Sequence, residues 1–370
     1  MKRLPPDYKQ YTDAYFLRSL EILQKEQLNP FVRAQIFIRK GPGKVYGILE
    51  ACGLLDKFST LKKNGGIVYA LQEGDIYSSD ETIMILEGKV QDIIPFETIL
   101  LGVISAETTK ENDKTEIDLA VVTNKMQEIA SLVGDRMVIY FGARHWRYDE
   151  DAMIASAAFA GGATGASTDI GARAHGQKGV GTIPHALECL YAWKFGMENA
   201  VVQATKAFDR VIDPKVSRVA LIDFANREID DSLSCANVLG KKLYGVRVDT
   251  CGENIIQGAY QIKGHSNDPF WYGSGVTISG VYTLRMQLNK HGFDYIKIVL
   301  SSGFGNSEKV KAFVAAEKEL GVQLFDSLGV GELFPVRAAT MDIVGVGETS
   351  ETIWPLAKIG RKYLPNVRLR

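Results

Sequence analysis

Asp223 closes the apolar run Val219-Ala220-Leu221-Ile222, and Asp249 closes Tyr244-Gly245-Val246-Arg247-Val248. Two carboxylates at successive strand ends could hold a sugar diol or a Mg²⁺ ion bridging to phosphate. Each could equally cap the helix that follows its strand. Arg144 ends Phe141-Gly142-Ala143-Arg144, directly after the apolar Met137-Val138-Ile139-Tyr140. Its guanidinium could fork onto a carboxylate or phosphate, or form a surface ion pair. His185 follows Gly181-Thr182-Ile183-Pro184 and precedes a helical pattern. It could act as a base or a nucleophile, although an isolated histidine is more often structural. Gly329-Val330-Gly331, placed just beyond an expected strand Val322–Ser327, could cradle phosphate through backbone N–H groups.

These groups need elements that end in the right places. The spacing predicts a helix over Asp13–Lys25, then strands at Val32–Arg39, Ile67–Leu71 and Thr82–Leu86. Helices follow over Phe96–Ile104 and Leu119–Leu132. From there strands and helices alternate. The strands are Met137–Phe141, Val219–Phe224, Leu243–Val248, Ile296–Leu300 and Val322–Ser327; the helices are Leu187–Trp193, Ala200–Val211, Val276–Asn289 and Lys309–Leu320. That rhythm means a parallel sheet, doubly wound or closed into a barrel. Arg144, Asp223, Asp249 and Ser301 all stand at C-terminal strand ends, where barrel active sites are built, so the barrel is the expected fold.

Composition excludes several classes. The chain has 370 residues, enough for two domains, and a net charge of −1, which gives no basic surface for nucleic acid. No apolar run reaches the ~20 residues of a spanning helix, and the N-terminus lacks the pattern of a signal peptide, so no membrane partner and a cytoplasmic location are expected. Cys52, Cys189, Cys235 and Cys251 are scattered without a C-x-x-C pair. They read as reduced, buried thiols, and no zinc is expected.

Taken together, the motifs resemble the nicotinate phosphoribosyltransferases along nearly the whole chain. Asp13-Ala14-Tyr15 is similar to that family's D-x-Y, Glu97-Thr98-Ile99-Leu100-Leu101 to its E-T-x-L-L, and Phe141–Arg144 to its F-G-x-R. Gly165-Ala166-Ser167 resembles its G-S-S loop, Gly181–His185 its G-T-x-x-H, and Arg247-Val248-Asp249-Thr250 its R-x-D-S/T. Gly329–Gly331 resembles its G-V-G loop and Lys358-Ile359-Gly360-Arg361 its K-x-G-R; by composition alone that last stretch is a solvated basic tail.

The resemblance implies an incomplete TIM-like (β/α) barrel, residues 111–335, packed on a mixed α/β sandwich domain of residues 1–110 completed by 336–370. It implies nicotinate and 5-phosphoribosyl-1-pyrophosphate as substrates, Mg²⁺, and ATP as a co-substrate acting through a phosphorylated His185. His185, Asp223 and Asp249 are then the expected catalytic residues, with Asp223 and Asp249 as Mg²⁺ ligands. Tyr15, Phe141, Arg144, Ser167 and Arg247 are expected to bind nicotinate, Tyr15 arriving from a neighbouring subunit of an obligatory homodimer. Arg144, Ser301, Gly303, Gly329 and Gly331 are expected to hold phosphate. Ser167 stands where an amide-reading carboxylate would favour nicotinamide, so the acid is expected over the amide. Quinolinate would need more cations, and a catalytically silent nucleotide sensor is the reading from another class. The chain departs from the family pattern at His145, where many relatives carry a second arginine, and at Ala186, where many carry serine.

Overall fold

The computed structural model describes residues 4–265 and 268–370. An antiparallel sheet runs in the order Trp354–Pro355, Ala339–Gly347, Phe31–Ile38, Thr82–Lys89, Ile67–Ala70. The chain's late strands thus lie beside its first, Phe31 opposite Gly347 and Ile38 opposite Ala339. Helix Glu97–Asp113 is buried on nearly every side between this sheet and the turn Ala143–His145. Apolar and small residues all round that helix allow it to sit between layers. Its first turn therefore delivers Glu97 and Thr98 to the interior, where both are buried.

The second sheet is parallel: Gly165–Ala166, Met137–Tyr140, Ser327–Val330, Lys297–Leu300, Leu243–Val248, Arg218–Leu221. Pairing of Ser327–Val330 with Met137–Tyr140 joins the last strand to the first. The sheet is therefore a barrel left open only between Gly165–Ala166 and Arg218–Leu221. The segment before His185 spans that gap: Val180 N–H donates to Ala166 O at 2.9 Å, and the Thr182 hydroxyl donates to Val219 O at 2.6 Å. The incomplete barrel implied by the family resemblance is the fold observed. No described helix is long and apolar enough to cross a membrane.

One strand lies later than its sequence pattern indicates. Residues 322–326 form a turn, and the strand is Ser327–Val330. Gly321 caps helix Ser307–Leu320 in a left-handed conformation, and the Glu317 carboxylate then accepts the Leu324 N–H at 2.8 Å. Those backbone groups are satisfied locally, so Leu324 and Phe325 enter the core as turn residues. Gly329 is consequently a strand residue, and only Gly331 begins the loop. The helices Ile48–Phe58, Asp151–Ala160 and Glu228–Leu239 were not apparent from periodicity. The last is rich in Asp, Ser and Asn, which propensity assigns to caps and turns.

Candidate active site

A cavity of about 470 Å³ opens at the C-terminal ends of the parallel strands, against the antiparallel sheet. Its size suits a small organic ligand. His185, the first residue of helix His185–Phe195, faces it. The Nε2 of His185 lies 3.0 Å from Asp223 Oδ1. The other Asp223 oxygen accepts from Lys358 Nζ, which also donates to Asp249 O at 3.2 Å. Burial would push the Asp223 carboxyl up, but Lys358 and His185 override it and hold it well below the usual carboxylate range. Burial would push Lys358 down, and Asp223 with Asp249 raises it instead. His185 is lowered, by burial first and Lys358 second, so its ring is neutral at physiological pH. With Nε2–H donated to Asp223, Nδ1 is the nitrogen that carries a lone pair.

Asp223 is thus corrected. It is fully buried, both oxygens are engaged within the protein, and it does not line the cavity. It positions His185 and Lys358, and both of its oxygens are taken up in doing so. Lys358, whose composition pointed to a solvated tail, is 6% exposed inside the site.

Asp249 does line the cavity, and its Oδ1 accepts from the Ser301 hydroxyl at 2.8 Å. Beyond Ser301 the chain turns through Ser302 and Gly303, both at positive φ (71° and 81°), and Lys309 Nζ bonds Ser302 O at 3.0 Å. Burial pushes Lys309 down to about 8, against the pull of Asp249. A Cβ on Gly331 would meet the His145 ring at 2.6 Å, and one on Gly305 would meet Gly331 O at 2.5 Å. The two loops therefore touch, and only glycine permits it. His145 takes the place expected of a second arginine, but it brings no charge. Burial and the neighbouring Arg144 push it down to about 4, and its Nδ1 accepts the Glu332 N–H at 3.0 Å. It props the glycine loop.

The other end of the cavity holds the aromatic residues. The Arg247 guanidinium lies 5.9 Å from the Tyr15 ring centroid and 6.0 Å from that of Phe141. Among the described residues no carboxylate lies within 4.0 Å of it, and its Nε is buried without a hydrogen-bond partner. Tyr15 of the same chain lines the cavity. The start of helix Ala14–Lys25 is tied to the chain's own barrel: Ala14 N–H donates to Ser167 O at 2.8 Å.

Ser167 is also corrected. It is buried beneath that helix start, its hydroxyl has no partner, and it does not line the cavity. Arg144 does line it, but arrives paired. Its Nη1 donates to Glu97 Oε1 at 2.8 Å, and its Nε lies 3.6 Å from Asp13 Oδ2. The turn carrying Arg144 is anchored by the fully buried Arg147, bound to Glu50 at 2.8 Å and Glu107 at 2.7 Å. Arg144 is therefore not a free anion clamp; Arg247 is the cation left for a carboxylate. Glu97 and Asp13 appeared in the sequence only as parts of motifs, and nothing in their types or spacing announced a place on the cavity wall.

Residues 13–107 match the family described as quinolinate phosphoribosyl transferase, N-terminal domain. A structure of nicotinate-nucleotide pyrophosphorylase from Pyrococcus furiosus is 29% identical, covering 98% of this chain and 81% of that one, with a TM-score of 0.46. Nicotinate phosphoribosyltransferase from Vibrio cholerae superposes with a TM-score of 0.69 at 14% identity, over 97% of this chain and 90% of that one. The enzyme of that name from Porphyromonas gingivalis gives 0.67 at 15% identity, over 94% and 92%. The fold is that of the nicotinate phosphoribosyltransferases. Within this type II phosphoribosyltransferase fold, the cavity at the strand ends is where the chain's own chemistry is gathered.

Proposed function

We propose that the protein transfers the phosphoribosyl group of 5-phosphoribosyl-1-pyrophosphate to nicotinate, giving nicotinate mononucleotide and pyrophosphate. The observation that carries this reading is Arg247, a cation free of carboxylates beside two aromatic rings, in one cavity with Asp249, Ser301 and the glycine loops. A flat anionic ring fits between Tyr15 and Phe141 with one carboxylate oxygen on Arg247 and the other toward Glu97. The pyridine nitrogen is itself the nucleophile, so no protein base is required. It forms the bond to the anomeric carbon as the bond to pyrophosphate breaks. Positive charge develops on the sugar, and Asp249 is the carboxylate placed to offset it. Quinolinate is disfavoured because its second carboxylate needs a second cation, and Arg144 is already bound to Glu97 and charge-matched by Asp13.

Mg²⁺ fits one carboxylate here. Asp249 with the Ser301 hydroxyl is a sparse donor set, suited to an ion that keeps water and substrate oxygens as its other ligands. Bound there, it would neutralise phosphate charge. Pyrophosphate release on mixing protein with nicotinate and the activated sugar tests the reaction. We expect nicotinate to be used at least about tenfold better than nicotinamide or quinolinate. Equal use of all three would sink the substrate assignment.

ATP stimulation is part of the same reading, and the His185 geometry supports it. Nδ1 can attack the γ-phosphorus, forming the N–P bond as the bond to ADP breaks. The phosphoryl group would lie at a helix N-terminus, beside Lys358, where negative charge is stabilised. His185→Ala is expected to lose ATP-stimulated synthesis while keeping a reduced ATP-independent turnover. The wild-type protein should take an acid-labile, alkali-stable label from γ-labelled ATP. Undiminished ATP stimulation in the variant would remove the histidine from this role.

A further inference from the structure

We infer that Glu97, with Arg144 and Asp13, is the specificity-determining group that reads the substituent of the base, and that its proton selects acid over amide. This rests on the proposed pyridine-base reaction and deepens it. Ser167 cannot perform that reading, since it is sealed away from the cavity.

Three groups form one patch of the cavity wall. Glu97 is 4% exposed and Asp13 2% exposed. Arg144 is bound to Glu97 through Nη1, and Asp13 Oδ2 accepts from the Tyr15 hydroxyl at 3.1 Å and the Thr98 hydroxyl at 3.0 Å. Among the described residues, Glu97 Oε2 makes no hydrogen bond, so one carboxyl oxygen remains for a ligand. With both carboxyls ionised, the patch carries two negative charges against one positive. It then repels a carboxylate and accepts from an amide NH₂. With Glu97 protonated, the patch is neutral and offers an O–H beside a guanidinium, both donors to a carboxylate. One residue thus presents opposite hydrogen-bonding faces to the two bases.

The groups facing Glu97 are Arg144 from the turn, Asp13 and Tyr15 from the N-terminal helix and its cap, and Asp342 from strand Ala339–Gly347. Arg144 stays charged throughout and His145 stays neutral. Burial pushes Glu97 up to about 8 against the opposing pull of Arg144. The resting wall therefore holds its proton at neutral pH and releases it in mild alkali.

The test is the ratio of kcat/KM for nicotinate to that for nicotinamide, measured from pH 6 to 9. Groups that serve both bases alike, His185 among them, cancel in that ratio. The ratio should fall at least about tenfold between pH 7 and pH 9, by the drop in the protonated fraction of a group near 8 alone, and further as the ionised form gains the amide. In Glu97→Gln it should become flat. A flat wild-type ratio, or an undiminished fall in the variant, overturns the inference. The wild-type profile decides alone if the variant does not fold. Calorimetric binding of the two bases reads the same ratio without turnover. Binding that shifts with pH but never leads to pyrophosphate release counts against the reaction only, and failure of both bases to bind overturns both.

Discussion

Lys358→Met is expected to destabilise the protein by about 3–5 kcal/mol, the usual cost of stranding one partner of a buried ion pair. Asp223 is fully buried; Lys358 is its counter-charge, and His185 donates a hydrogen bond to it. The neighbouring Glu188 offers no help. It is buried with both oxygens unpartnered, and burial with the nearby Asp223 and Asp231 keeps it protonated well above the usual range. Without the ammonium, Asp223 must take up a proton or draw one onto His185, and either change alters the neutral imidazole. The pH dependence has a definite sign. A carboxylate depressed in the folded state contributes stability above its unfolded value near 4 that is lost as pH falls through its folded one. In the variant that contribution is absent, so the stability difference between wild type and variant should shrink as pH falls below about 4. Urea unfolding should show a lower midpoint at unchanged slope. Adding Asp223→Asn should recover most of the loss, because removing both charges leaves no buried ion unpaired. A single variant within about 1 kcal/mol of wild type, or a double no better than the single, would mean that Lys358 is not the counter-charge.

How much of this was legible in the sequence depends on whether a signal was local. Strand Leu243–Val248 and helix Ala200–Val211 stood within their predicted bounds because apolar period and end residues agreed there. The barrel followed from alternation together with the polar residues at the strand ends. His185 and Asp249 were legible because each follows a strong local pattern. What failed was non-local. Asp223 had the same pattern as Asp249, a carboxylate after an apolar run, and only the arrival of Lys358 from 135 residues away separates their roles. Ser167 sat in a loop of small residues, yet it is covered by the helix start at Ala14. Glu97 opens an apolar helix, where a carboxylate reads as favourable to the helix dipole. Its partner Arg144 is 47 residues on, and their meeting is a product of packing.

Asp249→Asn is expected to lower kcat by about 10²- to 10³-fold while leaving stability nearly unchanged. Asn keeps the shape and can still accept from Ser301 through its carbonyl oxygen, so the strand-end contact at 2.8 Å survives. The carbonyl of residue 249 that accepts from Lys358 belongs to the backbone and survives too. What is lost is charge alone. Among the described residues no lysine or arginine lies within 4.0 Å of the Asp249 carboxylate, so its charge is not spent on the protein, unlike that of Asp223. That charge matters only when positive charge appears on the sugar, which places the loss in kcat rather than in binding of the base. The KM for nicotinate should move by less than about threefold, since Arg247 and the two rings are untouched. The KM for the activated sugar should rise, more so at low Mg²⁺ than at high, if the same carboxylate helps hold the ion. Equal falls in kcat and unfolding free energy would make Asp249 a structural residue. A rise confined to the KM for nicotinate would place the carboxylate at the base instead of the sugar, and the orientation of both substrates in the cavity would have to be reversed.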